Sequence, residues 1–349
     1  MKTVYVIGAG ASAEVGMPTG NELKKEISSL LKVREDNPLF VPYIKDELID
    51  YTIKKISQNG KRTKSNSEEY YNAARLISEN VVESISIDHY INAHKEDKRI
   101  ETIAKIAIVK ILLEKEKNSD LYRKYFLNSG DLINKWYTTF FNLLTEFKQK
   151  DNVQDRLQKI TLIIFNYDRC VEYYLLNRFN SHFNIDMYEA AKLLKCIKII
   201  HPYGCIGELP INVVDSGDNN VGFGNKIDVD RLLNLKNNIK TFTEETNPSS
   251  EIMFQVRDSL VESKRIVFLG FAYNSMNMEI LSLNHSNVRT NLPKILGTTH
   301  GEPSSGTQDI INDIAKAFKI TTKTPELYKL DNLKCHEFFE ENKRALRFN

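Results

Sequence analysis

Near the amino terminus, Gly8-Ala9-Gly10-Ala11-Ser12-Ala13 has the G-x-G-x-x-A spacing of a dinucleotide-binding turn. Glycines at the first two positions let the backbone approach a pyrophosphate. A helix starting there adds free N–H groups and the positive end of its dipole. On this reading a Cβ at Gly10 is expected to strike the pyrophosphate in a protein that still folds. The other reading is a tight strand-to-helix turn with no ligand. The next residues decide the subtype. Gly16-Met17-Pro18-Thr19-Gly20 cannot lie inside a continuing helix, because Pro lacks an N–H and Gly weakens helices. The spacing therefore predicts one short helical turn, a loop, and a new helix near Asn21. A hydride-transfer unit wants one continuous helix, a second strand and an acidic residue about 20 positions on. No convincing second strand precedes residue 43, so the turn fits a dinucleotide while its surroundings do not fit a dehydrogenase.

Other side chains narrow the chemistry. Cys170, Cys196, Cys205 and Cys335 form no Cys-x-x-Cys pair, so reduced thiols and no zinc site are expected. Of seven His, His182, His285 and His336 lie in polar stretches and read as surface residues. His89 and His94 are placed to line a pocket, and His300 follows Gly297-Thr298. His201 ends an apolar run just before a Gly, where functional residues of parallel sheets collect. A His of ordinary pKa can accept a proton at neutral pH.

The elements that must position these residues alternate. Apolar runs at Thr3–Ile7, Ile160–Phe165, Cys196–His201, Ile266–Gly270 and Lys294–Gly297 predict buried strands. Helical patterns at 170–180, 189–194, 249–263, 276–283 and 307–318 lie between or after them, which argues an α/β fold with a Rossmann-like parallel sheet. Residues 36–149 read as a large helical insertion in a domain made of 1–35 and 150–349. Within it, Arg99–Glu114 is apolar nearly all round, which predicts burial in a helical layer or an oligomer interface. Asp131–Lys148 repeats the pattern with Trp136, Tyr137 and Phe140, whereas Gln58–Ser67 reads as a polar surface loop. Asp215–Asn225 reads as a loop whose acidic spacing does not suit calcium.

Composition limits the classes further. The chain has 349 residues, with 48 Lys and Arg against 46 Asp and Glu; this balance offers little support for a highly charged nucleic-acid binder, and no direct nucleic-acid binding is expected. No run approaches the roughly 20 apolar residues of a membrane span, and the first apolar run is too short and Gly-broken for a signal peptide. A cytoplasmic protein is expected.

Four motifs in order resemble the sirtuin (SIR2-like) superfamily. They are Gly8-Ala9-Gly10-Ala11-Ser12 with Gly16-Met17-Pro18, then Asn166-Tyr167-Asp168 after a strand, then His201-Pro202-Tyr203-Gly204, and Leu269-Gly270-Phe271 late in the chain. The absent zinc ribbon, Thr19-Gly20 in place of the deacetylase Phe-Arg pair, and the helical insertion are more similar to SIR2-like effectors of bacterial antiphage defence. Ser86-Ile87-Asp88, Trp136-Tyr137 and Gly297-Thr298 share that similarity.

The resemblance implies an NAD+ hydrolase that releases nicotinamide and ADP-ribose and depletes NAD+ on infection. It implies NAD+ as substrate, no zinc, a homo-oligomer, and a separate sensor or activator such as a HerA-like ATPase. Gly8, Ala9, Gly10, Ser12, Pro18, Thr19, Asp168, Gly270, Phe271, Gly297 and Thr298 would bind NAD+, and Asn166 and His201 would be catalytic. An amide such as Asn166 can donate to and accept from a ribose hydroxyl or water; its other reading is a helix cap. Asp168 would bond nicotinamide or ribose, or cap the helix after it. Many sirtuins have His directly before the Gly; here Tyr203 stands there, so His201 and Tyr203 compete for that place. Two further classes stay open: a protein deacylase or ADP-ribosyltransferase, and an NAD+- or ADP-ribose-binding scaffold.

Overall fold

The computed structural model describes residues 1–35, 42–58, 64–125, 132–211, 217–242, 250–283, 292–320 and 324–348. Lys61 and Arg62 of the polar loop, Asp131, Asp215 and His285 lie outside them. Among the described residues there are eight strands: β1 (Thr3–Ile7), β2 (Val33–Arg34), β3 (Tyr43–Ile44), β4 (Ile160–Ile164), β5 (Lys198–Ile200), β6 (Arg265–Leu269), β7 (Lys294–Thr298) and β8 (Tyr328–Asp331). β2 and β3 form a short antiparallel ribbon. The other six make one all-parallel sheet in the order β5-β4-β1-β6-β7-β8. Counted in chain order within that sheet this is 3-2-1-4-5-6, the doubly wound Rossmann order. The fold class expected from the strand–helix alternation is the one observed.

Burial explains which strands the sequence displays. β1 and β6 are buried at all five positions, as strands covered on both faces must be, and both are continuous apolar runs apart from their first residues. The edge strands β5 and β8 are partly exposed. β8, Tyr-Lys-Leu-Asp, is too short and polar for an apolar run and was not expected, nor was the helix Cys335–Leu346 that follows it.

The chain leaves β1 through α1 (Ala9–Ala13), turns, and enters α2 (Gly20–Leu30), the short-turn, loop and new-helix sequence expected from Pro18. Thr19 caps α2, its hydroxyl and backbone both meeting Glu22. Then come α3 (Glu47–Gln58), α4 (Lys64–Asn80), α5 (Ile87–Ala93), α6 (Lys98–Asn118), α7 (Asp120–Tyr125), α8 (Trp136–Thr145) and α9 (Lys150–Leu157). The presumed polar loop at 58–67 therefore ends by Lys64, where α4 begins.

α6 is the buried axis of this helical region. Ile103, Ala104, Ile106, Ala107, Ile108 and Val109 are all fully buried, covered by α2, α4, α5 and the helix Val229–Leu235. Its all-round apolar surface is satisfied within the chain, which removes the reason for expecting α6 to form an oligomer interface.

Among the ties between this region and the chain around the sheet, two are polar and part-buried or buried. Lys24 of α2 donates to the carbonyls of Val82 and Ser84, fixing the stretch that leads into α5. Glu116 at the end of α6, fully buried, pairs with Arg169 at 2.7 Å. The same guanidinium donates to the Val221 carbonyl at 2.5 Å, and the Gly224 amide donates to Glu116 at 2.8 Å. No helix among the described residues is long and apolar enough to cross a membrane.

Candidate active site

In a doubly wound sheet, ligands bind beyond the carboxyl ends of the strands where the order reverses, here between β1 and β6. The glycine turn leaves β1 at that point and Gly270 leaves β6 beside it. The two backbones interlock. Gly8 N donates to Leu269 O at 2.9 Å and Gly10 N to Gly270 O at 3.0 Å. A Cβ on Gly10 would lie 2.9 Å from Gly270 Cα, and one on Gly270, whose φ is +54°, would lie 2.1 Å from Ala11 N. The glycines are thus required by contact with the protein's own chain. This corrects the expectation that a Cβ at Gly10 would meet pyrophosphate in an intact fold. Thr298 completes the lock by accepting from Gly270 N at 2.8 Å. Trp136 braces it from behind, its indole donating to Ala11 O at 2.9 Å.

Among the described residues two cavities adjoin the lock, the larger termed outer and the smaller inner. The outer one, about 760 Å³, falls in the size range of small-molecule sites. Ala9, Gly10, Thr19, Gly270, Phe271 and Thr298 line it, together with Glu14, His300, Glu302 and Lys334. The inner one, about 150 Å³, is lined by Gly8, Pro18, Asn166, Asp168, Asp88 and Tyr203, among others. Ala9, Gly20, Ser86, Ala272 and Asn274 line both, so the chambers meet along that rim. Asn274 caps the helix Ser275–Leu281 by accepting from Asn277 N at 2.9 Å.

β4 delivers Asn166-Tyr167-Asp168 to the inner chamber just before α10 (Cys170–Phe183). Asn166 Nδ2 donates to Gly8 O at 3.1 Å and to Ser12 Oγ at 3.0 Å. Because Gly8 O can only accept, the amide nitrogen must be the end that faces it. Both donors are thereby spent on the scaffold, and among the described residues nothing donates to Oδ1. The side chain offers an acceptor, rather than the donor and acceptor expected from its type.

Ser12 Oγ donates onward to Asp168 Oδ1 at 3.1 Å, which also accepts from Cys170 N at 3.1 Å. Asp168 therefore does bond the start of α10, as the capping reading held, while lining the chamber. Burial pushes its carboxyl up from the usual carboxylate range, against the pull of the Cys170 and Ser12 hydrogen bonds.

Two of the residues expected to bind NAD+ stand outside both chambers. Ser12 is fully buried and links Asn166 to Asp168, so it is a strut and not a surface for phosphate. Gly297 lies under Phe268, where a Cβ would come within 2.8 Å of that ring's Cβ.

His201 is also behind the chamber wall. Its Nδ1 is 3.0 Å from Asn166 O and its Nε2 is 2.6 Å from Glu172 Oε1. A carbonyl and a carboxylate both accept, so both ring nitrogens donate and the ring is held as imidazolium. Burial alone would lower its pKa; the Glu172 charge and hydrogen bond and the Asn166 carbonyl outweigh it, and the net shift is upward. A ring without a free lone pair cannot take a proton from substrate, which corrects the expectation of His201 as a base. Tyr203 takes the position at the chamber wall instead, donating to Asn277 Oδ1 at 3.1 Å. Burial and the nearby Asp88 and Glu279 carboxylates push its phenol far above the usual range.

His89 and His94 line neither chamber, whereas His300 does line the outer one. Among the described residues no group of three or more His, Cys, Asp or Glu side chains is arranged to hold a metal ion. Models of known protein families give no match to this chain, and no curated protein matches it either.

Proposed function

We propose that the protein is an NAD+ glycohydrolase, cleaving NAD+ to nicotinamide and ADP-ribose. The observation that carries this reading is the pair of joined chambers at the sheet's switch point, with Asn166 Oδ1 lacking a donor among the described residues in the smaller one. The outer chamber suits the adenosine and pyrophosphate part, with Thr298, Gly270 and Phe271 beneath it. The inner chamber suits the nicotinamide ribose. There Asn166 would accept from a ribose hydroxyl or from the attacking water, and Asp168 would stand beside the nicotinamide. Breaking the nicotinamide–ribose bond needs little beyond holding the sugar and placing water, since nicotinamide leaves as a neutral group and cationic character develops on the ribose, as in glycoside hydrolysis. The resemblance of the four motifs to SIR2-like proteins supports the same reading. That resemblance supports a role as an NAD+-depleting effector of antiphage defence, acting with a separate sensor such as a HerA-like ATPase.

The test is incubation with NAD+ and no peptide, followed by quantification of free nicotinamide and ADP-ribose. Equimolar release of both supports the proposal. The locked imidazolium of His201 favours a second reading, a scaffold that binds NAD+ or ADP-ribose without cleaving it. Tight binding of NAD+ with none of it consumed, alone or with a gene-neighbour partner, would select that reading.

A further inference from the structure

The inner chamber holds few groups able to take a proton. His201 lies behind the wall with both nitrogens donating. Asp168 Oδ1 accepts from both Ser12 and Cys170, which ties that carboxyl to the Asn166–Ser12 scaffold and the start of α10. Tyr203 is a phenol in a buried site, a poor base at neutral pH. Asp88 is different. It belongs to α5, in the helical region, and reaches the same chamber as Asn166 and Asp168. Ser86 caps α5 by accepting from His89 N at 3.0 Å, which fixes the helix end that carries Asp88. Tyr167, the residue between Asn166 and Asp168, donates its phenolic hydrogen to Asp88 Oδ1. The Asn-Tyr-Asp loop and the helical region thus meet at one carboxyl group.

We propose that Asp88 is the catalytic base of the inner chamber, taking the proton from the water that attacks the ribose C1′ of NAD+. This rests on the glycohydrolase reading. The water oxygen bonds to C1′ as the C1′–N bond breaks, and that bond's electron pair leaves with nicotinamide, which becomes neutral. The water's proton passes to the Asp88 carboxylate and from there to solvent, so NAD+ and water give nicotinamide, ADP-ribose and one proton, with nothing oxidised or reduced. The facing titratable groups are Tyr167 and Tyr203 from the loops after β4 and β5, with Asp168 on the same wall. Burial raises the Asp88 carboxyl to about 6, with the Tyr167 hydrogen bond opposing, which brings it close to the operating pH that suits a general base.

The experiment measures nicotinamide release between pH 5 and 9 for the wild type, Asp88→Asn and Tyr167→Phe, with NAD+ affinity by calorimetry. Asp88→Asn keeps the shape and an oxygen for Tyr167. It should lose about 10²–10⁴-fold in kcat at pH 7.5 while binding NAD+ within about threefold of wild type. Wild-type activity should fall on acidification below about pH 6, and the residual activity of the Asn variant should not. Tyr167→Phe should move that acid limb to higher pH, because it removes a donor to the carboxylate. Wild-type rates or an unchanged acid limb in Asp88→Asn would overturn the assignment alone. Should Asp88→Asn fail to fold, an unmoved limb in Tyr167→Phe overturns it. Wild-type protein that releases no nicotinamide sinks the hydrolase reading and this assignment with it.

Discussion

The outer and inner chambers sit side by side on the same strand ends, yet they are built in different ways. The floor of the outer chamber is backbone: the interlocked turns of Ala9-Gly10 and Gly270, pinned by Thr298. Its acidic and basic groups, Glu14, Glu302 and Lys334, stand around that floor. The inner chamber is made by side chains in a hydrogen-bonded series, Asn166 to Ser12 to Asp168, with Asp88 and Tyr203 closing it. A backbone floor can hold a shape common to many ligands but does little chemistry. A relay of polar side chains fixes one atom, Asn166 Oδ1, where a reaction would need it. The contrast predicts that damage to the outer floor is felt as lost stability and damage to the inner wall as lost turnover.

The sharpest way to break that contrast is at Gly270. Gly270→Ala places a Cβ 2.1 Å from Ala11 N in a left-handed backbone conformation. The fold should lose about 4 kcal/mol or more, or fail to accumulate, as measured by urea unfolding. Gly10→Val should follow it. A stably folded Gly10→Val that has lost only NAD+ binding would mean the glycines serve phosphate after all.

Next in size is Asn166→Ala, expected to bind NAD+ within a few-fold but to lose roughly 10²–10³ in kcat. Asn166→Asp should be no better. It keeps an acceptor toward the chamber but turns a carboxylate toward the Gly8 carbonyl. An active Asp variant would show that the donors to Gly8 and Ser12 do not position the side chain.

His201→Gln should cost activity less, about tenfold, because His201 acts on the site through the Asn166 backbone. Its signature is in stability against pH. A His whose folded pKa lies above the ordinary value of about 6.5 adds stability that is fully present below that value and is lost as pH rises through the raised one. The stability gap between wild type and His201→Gln should therefore shrink from pH 6 to pH 9. A gap that widens over this range would mean the ring is neutral in the fold. The smallest effect is expected for Tyr203→Phe, which loses one hydrogen bond to Asn277, about 1 kcal/mol, and less than tenfold in rate. A dead Tyr203→Phe beside an active Asp88→Asn would move the acid–base role to the phenol.

The parts legible in the sequence were those decided by neighbours along the chain. Pro18 between two glycines announces a broken helix, and the runs of β1, β4, β6 and β7 announce buried strands. Gly8 and Gly10 could be read as necessary, but the reason, Gly270, lies some 260 positions away. The type and strand-end position of His201 were visible. Its partners were not, because Glu172 is brought to it by the turn into α10. Ser86-Ile87-Asp88 was visible as a segment similar to SIR2-like proteins, but nothing in its spacing gave Asp88 a chemical role; that comes from the packing of α5 against the Asn-Tyr-Asp loop. The apolar surface of α6 was legible, but its cover comes from helices before and after it in the chain.

The buried pair of Glu116 and Arg169 has a consequence for descent. Arg169 directly follows Asp168, and its charge is answered by a carboxylate on a helix of the inserted region. A buried cation without its partner is costly, of the order of 3–5 kcal/mol. A lineage could not drop the helical region, or exchange it for an unrelated one, without first neutralising position 169. The region and the loop beside the chamber are heritable only as a pair, so related chains should vary at 116 and 169 in step.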